Sequence, residues 1–207
     1  MEVTDLAAVA PIARPTKAER TRRRILDAAA RLFAEKGYSV TSLREIAEAA
    51  DLKDGSLYYH FTSKEELVDE VTRDGVAGAL EHIRCAIHDL GPNASAGQRL
   101  GAVIRAHLEA LCALGDYPAA VLNIVQHAPA AIRERQVQQL RPFWEFWTGV
   151  ITDAQRAGAL PSRLRAAVVR EVLFGAMHAT VRVGESRTRS VDEVTDALIE
   201  LLGLPDS

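Results

Sequence analysis

The chain has 207 residues, of which 48% are hydrophobic and 26% charged, and its 25 Lys and Arg against 28 Asp and Glu leave a net charge of −3. That composition excludes global disorder, and two cysteines exclude both a disulfide scaffold and an all-cysteine metal cluster. The mild acidity argues against nucleic acid only on average, because a local basic patch can hide inside it.

Residues 1–15 lack periodicity and contain Pro11 and Pro15, so they are expected to form a flexible arm. Glu2 and Asp5 stand where a secretory leader would be basic. No apolar run reaches the roughly 18–20 residues of a membrane span, so a cytoplasmic protein with no membrane partner is expected. From Thr16 the pattern becomes helical. Thr16 with Glu19 has capping-box spacing, Ile25, Leu26, Ala29, Leu32 and Phe33 share one face, and Gly37 stops the helix. Ser42 with Glu45 opens a second, short helix through TSLREIAEAA. Asp51, Lys53 and the Leu52 between them make a turn, and DGSLYYHF makes a third helix with Leu57 and Phe61 facing inward. Thr62 and Ser63, followed by Glu65 and Glu66, start a fourth helix that runs to about Leu90. GPNAS at 91–95 is the clearest linker. Five more helices are expected at roughly 96–114, 118–127, 129–158, 161–183 and 190–203, punctuated by Pro118, Pro129, Pro161 and Gly184. The fold class is therefore all-α, with about nine helices and no strand.

The chemistry sits in residues 42–61. Two short helices joined by a three-residue turn form a helix-turn-helix, whose second helix can enter the major groove of DNA. Arg14, Lys17, Arg20, Arg22, Arg23 and Arg24 crowd the preceding segment against one acid, Glu19, and supply candidate phosphate contacts. On these residues, TRRRILDAAARLFAEKGYSVTSLREIAEAADLKDGSLYYHFTSKEELV resembles the N-terminal DNA-binding domain of the TetR family of bacterial transcriptional regulators, over about residues 17–75. The rest of the chain is similar to that family only in being helical.

The resemblance implies a head at 16–62 and an effector-binding and dimerisation domain at 63–207. It also implies a palindromic double-stranded operator, a homodimer, and release of DNA by a small molecule. Carried over position by position, the implied DNA contacts are Arg23, Thr41, Ser42, Arg44, Lys53, Ser56, Tyr58, Tyr59, His60 and Lys64. Tyr59 reads equally well as a packing residue. Two positions depart from the family pattern: Asp51 stands where a turn glycine is common, and Asp54 stands where a lysine is common. Asp54 is expected to cap the third helix rather than to read a base.

The larger domain is less explicit. Ile104, His107, Leu108 and Leu111, then Trp144 and Trp147, then Phe174, Met177 and His178 form apolar helical faces. Such faces line small-molecule pockets, and equally they fill ordinary cores, which is the commoner outcome for any one residue. Pro142 is expected to kink its helix beside Arg141, an arrangement that would suit an apolar or anionic effector. Val169, Val172, Leu173, Ala176 and Thr180, with Val194, Leu198 and Leu201, are the candidate dimer stripes. The spacing of the six histidines suggests no metal site, and no cofactor is expected. The absence of G-x-S-x-G, phosphate-loop and H-E-x-x-H patterns argues against an enzyme. The alternative to ligand control is a DNA-binding scaffold that recruits a protein partner.

Overall fold

The computed structural model describes residues 16–182 and 190–205, and the expected arm at 1–15 lies outside them. The described residues form α1 (Lys17–Glu35), α2 (Leu43–Ala49), α3 (Asp54–His60), α4 (Lys64–Leu90), α5 (Ala96–Ala113), α6 (Tyr117–His127), α7 (Ala130–Arg156), α8 (Ala166–Arg182) and α9 (Val191–Leu202), with no strand among them.

Local chemistry accounts for most of the boundaries. Thr16/Glu19, Ser42/Glu45, Ser95/Gln98 and Ser190/Glu193 each close a reciprocal capping box, satisfying orphan amides at the starts of α1, α2, α5 and α9. Gly37 follows α1 with φ +86°, a left-handed conformation that costs glycine least. Asp51 holds the corresponding position after α2 with φ +53°. There the Leu52 amide donates to the Ala47 carbonyl at 2.9 Å and the Asp51 amide to the Glu48 carbonyl at 3.0 Å, a Schellman closure. The turn thus needs a left-handed residue, which explains why glycine is common there in the family and why a short acidic side chain is tolerated here.

α7 matches the helix expected at 129–158, and the start of α8 is the boundary that shifts. α7 runs unbroken from Ala130 to Arg156 with Pro142 inside it. Pro142 and Gln138 are both exposed, so water can take the carbonyl that the missing N–H leaves unpaired. α8 begins at Ala166 rather than near residue 161, because the Gln155 amide donates to the Pro161 carbonyl at 3.0 Å and to the Leu164 carbonyl at 2.7 Å, pinning that segment as a loop.

Two apolar cores result. The first gathers Ile25, Ala29 and Phe33 of α1, Ile46 of α2, Leu57 and Phe61 around α3, and Leu67, Val68 and Val71 from the start of α4. It also contains Tyr117, Ala120, Ile124 and Ala128 from α6 and its end. The second is built from the remainder of α4 with α5, α7, α8 and α9, and includes Leu100, Ile104, Leu108, Trp147, Ile151, Met177 and Leu198. α5 and α6 meet at 96°, which turns α6 back across α1. The division between the cores therefore falls within α4, some way past Ser63, and α6 belongs to the core of the head.

Candidate DNA-binding surface and candidate effector cavity

The head fixes its short helices and their connections by placing cations on backbone carbonyls, those of Arg22 and Arg24 at helix C-terminal ends. Arg22 donates to the His60 carbonyl at 2.5 Å, pairs with Glu70, and lies 4.0 Å above the Phe61 ring, so it ties the end of α3 to α1 and α4. Arg24 donates to the Ala50 carbonyl and, at 3.2 Å, to that of Asp51, closing α2. Lys64 donates to the carbonyls of Tyr38 and Thr41 at 2.8 and 2.9 Å, with its ammonium 4.0 Å over the Tyr38 ring. Burial pushes the Lys64 pKa below the ordinary lysine value. Carbonyls at helix ends carry partial negative charge, which is why cations settle there.

In this geometry several of the residues expected to contact phosphate have partners within the head. Lys64 braces the connection between α1 and α2. Arg23 lies 3.1 Å from Asp27 and 3.3 Å from Asp74 and is directed toward α4 and α6. Its guanidinium carbon sits 5.1 Å from the Tyr117 ring centroid. Thr41 is buried and donates its hydroxyl to the Gly37 carbonyl at 2.8 Å, shaping the turn before α2. Ser42 is the cap of α2, bound to Glu45. The Lys36 ammonium, with Ser42, holds the Glu45 carboxyl down at about 2. Lys53, not Asp54, occupies the cap position of α3 and makes no side-chain cap bond there. The Asp54 side chain lies outside the described residues.

What remains outward is a compact reading edge. Lys53 and Ser56 are exposed, Arg44 is exposed beside Glu48 at 3.0 Å, and His60 is half-buried at the end of α3. Tyr58 is 58% and Tyr59 84% exposed, while Leu57 and Phe61 turn inward. Tyr59 stacks edge-on against His60 at 5.2 Å and is not a packing residue of the core. A large, nearly bare aromatic on a solvated helix contributes nothing to folding that its exposure would not cancel. Tyr59→Ala is therefore expected to weaken operator binding by about tenfold, the worth of one good base or phosphate contact, with no shift in melting temperature. Paired anisotropy and calorimetry measurements check this, and a falling melting temperature would instead assign Tyr59 a packing role.

α4, α5, α6, α7 and α8 line a partly open cavity of about 410 Å³, within the roughly 300–1,000 Å³ range of small-molecule sites. α4 supplies Gly75, Val76 and Ala79, and α6 supplies Pro118, Val121, Leu122, Val125 and Gln126. Of the expected residues, His107, Leu111, Trp144, Phe174 and His178 line it. Ile104, Leu108, Trp147 and Met177 do not line it and are buried in the second core. Arg141 is exposed and outside the lining, since an unbroken α7 carries it to the solvent side. α6 supplies lining beyond the residues expected from the sequence. Its signal was a second apolar face, Pro118, Leu122 and Val125, beside the Tyr117, Ala120 and Ile124 face that packs on α1.

Inside the cavity, His107 is 3% exposed, and its Nε2 lies 3.4 Å from that of His178. Phe174 stacks on the His107 ring at 5.4 Å, Trp147 meets it edge-on at 5.4 Å, and Phe143 lies 5.9 Å away. Burial, and secondarily His178, push the His107 pKa down to about 3. Among the described residues no cluster of metal-ligating side chains occurs.

The dimer candidates divide in the same way. Val169, Leu173 and Leu198 are buried in their own chain's core, and Ala176 and Val194 are half-buried. Val172 is 66% and Leu201 82% exposed, with Val168 and Leu164 also open on the α8 side. The side chain of Thr180 lies outside the described residues.

A family model for bacterial regulatory proteins of the tetR family matches residues 25–71, and one for a tetracyclin repressor-like C-terminal domain matches residues 93–202. The fatty acid metabolism regulator protein of Bacillus subtilis is 25% identical over 182 residues, which cover 86% of this chain and 91% of that protein. The HTH-type transcriptional repressor KstR2 of Rhodococcus jostii is 34% identical over 145 residues, 68% of each chain. Among solved structures, the probable transcriptional regulatory protein RHA5900 is 30% identical with a TM-score of 0.66, covering 90% of this chain and 99% of that one. AibR in complex with isovaleryl coenzyme A and operator DNA shares the fold at 24% identity and a TM-score of 0.72, covering 90% of this chain and all of that one.

Proposed function

The chain belongs to the TetR family of bacterial regulatory proteins, and from that membership we propose that it represses transcription as a homodimer on a palindromic operator and is released when a small molecule fills the cavity of each subunit. It is a DNA-binding regulator and not an enzyme. Two reading heads must lie about 34–36 Å apart to meet successive major grooves on one DNA face. The exposed apolar residues of α8 and α9, Val172 and Leu201 foremost, are the surface assigned to the partner subunit.

The observation that carries this reading is the position of α6. One of its faces lines the cavity and the adjacent face is part of the head's core. Tyr117 at its start donates its hydroxyl to Asp27 of α1 at 2.9 Å, and Asn123 donates to the Ala34 carbonyl at 3.4 Å. A ligand that displaces α6 therefore carries α1 with it, and the Arg22 bond carries α3. The N-terminal part of α4, in the same core, moves with them. Ligand shifts the equilibrium only by its differential affinity for the DNA-competent and DNA-incompetent forms.

A protein-recruiting scaffold would need a solid effector domain, and the 410 Å³ cavity speaks against it. The test is an anisotropy titration of a duplex selected from a random pool, with and without candidate effectors. A compound that binds the protein should weaken DNA affinity, and bound DNA should weaken its binding by the same factor. Compounds that fill the cavity and leave DNA affinity unchanged would contradict the proposal.

A further inference from the structure

We infer that Asp69 is a positioning residue for operator binding: gripped by α7, it fixes the angle of α4 and with it the separation of the two reading heads, so that an operator is selected by the spacing of its half-sites. The inference rests on the proposed binding of a palindromic operator by a homodimer, and it adds the residue that sets the spacing.

Asp69 stands in the stretch of α4, from Leu67 to Val71, that belongs to the core of the head, whereas α7 packs into the second core through Phe143, Trp147 and Ile151. α7 nevertheless reaches Asp69 with three side chains. The Gln136 amide donates to its carboxylate at 2.8 Å, the Gln139 amide donates to its backbone carbonyl at 2.8 Å, and Arg135 pairs with the carboxylate. Side chain and main chain of one residue are thus held from one neighbouring helix, which resists both rotation of α4 about its axis and sliding along it. Apolar contacts are non-directional and resist sliding less. Gln136 is 1% exposed, so water does not replace its bond if Asp69 moves away, and the grip holds in one register.

The grip is one link in a series. On one side, Arg170 of α8 donates to Thr148 Oγ1 at 3.1 Å and to the Trp144 carbonyl at 3.4 Å, tying α7 to the helix that carries the exposed Val168 and Val172. On the other side, Glu70, the next residue of α4, pairs with Arg22, which donates to the His60 carbonyl at the end of α3. Polar bonds therefore run from the surface assigned to the partner subunit, through α7 and α4, to the reading helix. When α6 shifts α1, α4 turns about Asp69. Adding one base pair between half-sites moves the second site by about 3.4 Å and turns it by about a tenth of a helical turn. A head held at a fixed angle rejects that change, and a loosely held head follows it.

The experiment measures, by anisotropy, the affinity of the purified full chain for a selected operator duplex and for duplexes with one base pair added or removed between the half-sites. The wild type is expected to lose about tenfold or more with either change. The double variant Gln136→Leu/Gln139→Leu removes both amides and leaves Asp69 with Arg135. It is expected to bind the selected duplex about threefold to tenfold more weakly, the worth of a lost hydrogen bond, and to bind all three duplexes within about threefold of one another. Asp69→Asn keeps an acceptor for Gln136 and leaves the backbone carbonyl in place, so it should retain most of the wild-type preference. A loss of stability alone would lower affinity for the three duplexes by a common factor, and such a common factor in the double variant overturns the inference. Should the double variant fail to fold, Gln139→Leu alone, at a half-buried position, must narrow the preference, and an unchanged preference there also overturns it. A wild type that binds the three duplexes equally, yet binds them more tightly than an isolated half-site, overturns the inference and leaves the dimeric operator reading standing. A wild type that binds an isolated half-site as tightly as the paired duplex overturns that reading, and the inference with it.

Discussion

Replacing Arg22 with Met is expected to lower stability by about 2 kcal/mol and operator affinity by about tenfold to a hundredfold. Met keeps most of the stem and removes the charge-assisted bonds to the His60 carbonyl and Glu70. Truncating one partner of a buried ion pair costs about 3–5 kcal/mol, but this pair is not fully buried and Glu70 retains Arg73 at 3.5 Å, so the lower figure applies. The DNA effect is larger than one lost contact because of what α3 rests on. It is a seven-residue helix whose inward contacts come from Leu57 and from Phe61 just beyond it. Without Arg22 its C-terminal end is free to shift, and each misplaced base contact is worth about 1–3 kcal/mol. Arg22→Lys should restore little of the affinity, because an ammonium cannot span the carbonyl and the carboxylate as a planar fork does. Denaturant titration and anisotropy on the same samples check this. Intact affinity in Arg22→Met would return Arg22 to the role of a surface charge.

Acidification is expected to destabilise the effector domain through His107 before the hydrogen-bonded carboxylates of the head, held below the ordinary value, are protonated. Its pKa in the folded protein is about 3, against about 6.5 for an unfolded histidine. Between those values the unfolded chain holds one more proton than the folded chain, so stability falls as pH falls, by up to about 1.4 kcal/mol per pH unit. From pH 6.5 to 5.0 the loss is about 1.6 kcal/mol. Glu19, Glu45, Glu65 and Glu66 have pKa values lowered by their hydrogen-bond partners, and they add a further loss only below about pH 4.5. His107→Phe, which keeps a ring against Phe174, should flatten the melting-temperature profile between pH 6.5 and 5.0. A variant profile parallel to that of the wild type would show that His107 is protonated, or exposed, in the folded state.

The sequence was most legible where a local rule is sufficient. Thr16/Glu19 and Ser42/Glu45 announced their helices, and Gly37 announced an end, because capping and left-handed turns depend on residues a few positions apart. It was least legible where the answer depends on distant partners. Arg22, Arg24 and Lys64 look like phosphate ligands by spacing alone. Their carbonyl acceptors lie 38, 26 and 23–26 residues away, and that pairing exists only after folding. Arg141 looked like a pocket residue because a kink at Pro142 was expected to turn it toward the aromatic segment, and α7 instead carries Arg141 on an exposed face outside the cavity lining. The net charge of −3 also acquires a place: several cations at the leading edge of the head neutralise helix ends and acids, while Lys53 and the Tyr58–Tyr59 face stay exposed as the surface proposed to meet DNA.

The central claim is that α6 couples the cavity to the reading head, and a substitution can test it without knowledge of the effector. Val125→Trp places a bulky ring into the cavity from α6 and leaves the neighbouring face of that helix, Tyr117, Ala120 and Ile124, untouched. The measurement is the affinity of this variant for a selected operator duplex, with a crystal structure of the variant showing whether the ring fills the cavity. A filled cavity should lower operator affinity by about tenfold, within the roughly 5–150-fold range of allosteric coupling. An affinity within about twofold of the wild type, with the cavity demonstrably occupied, would contradict the coupling.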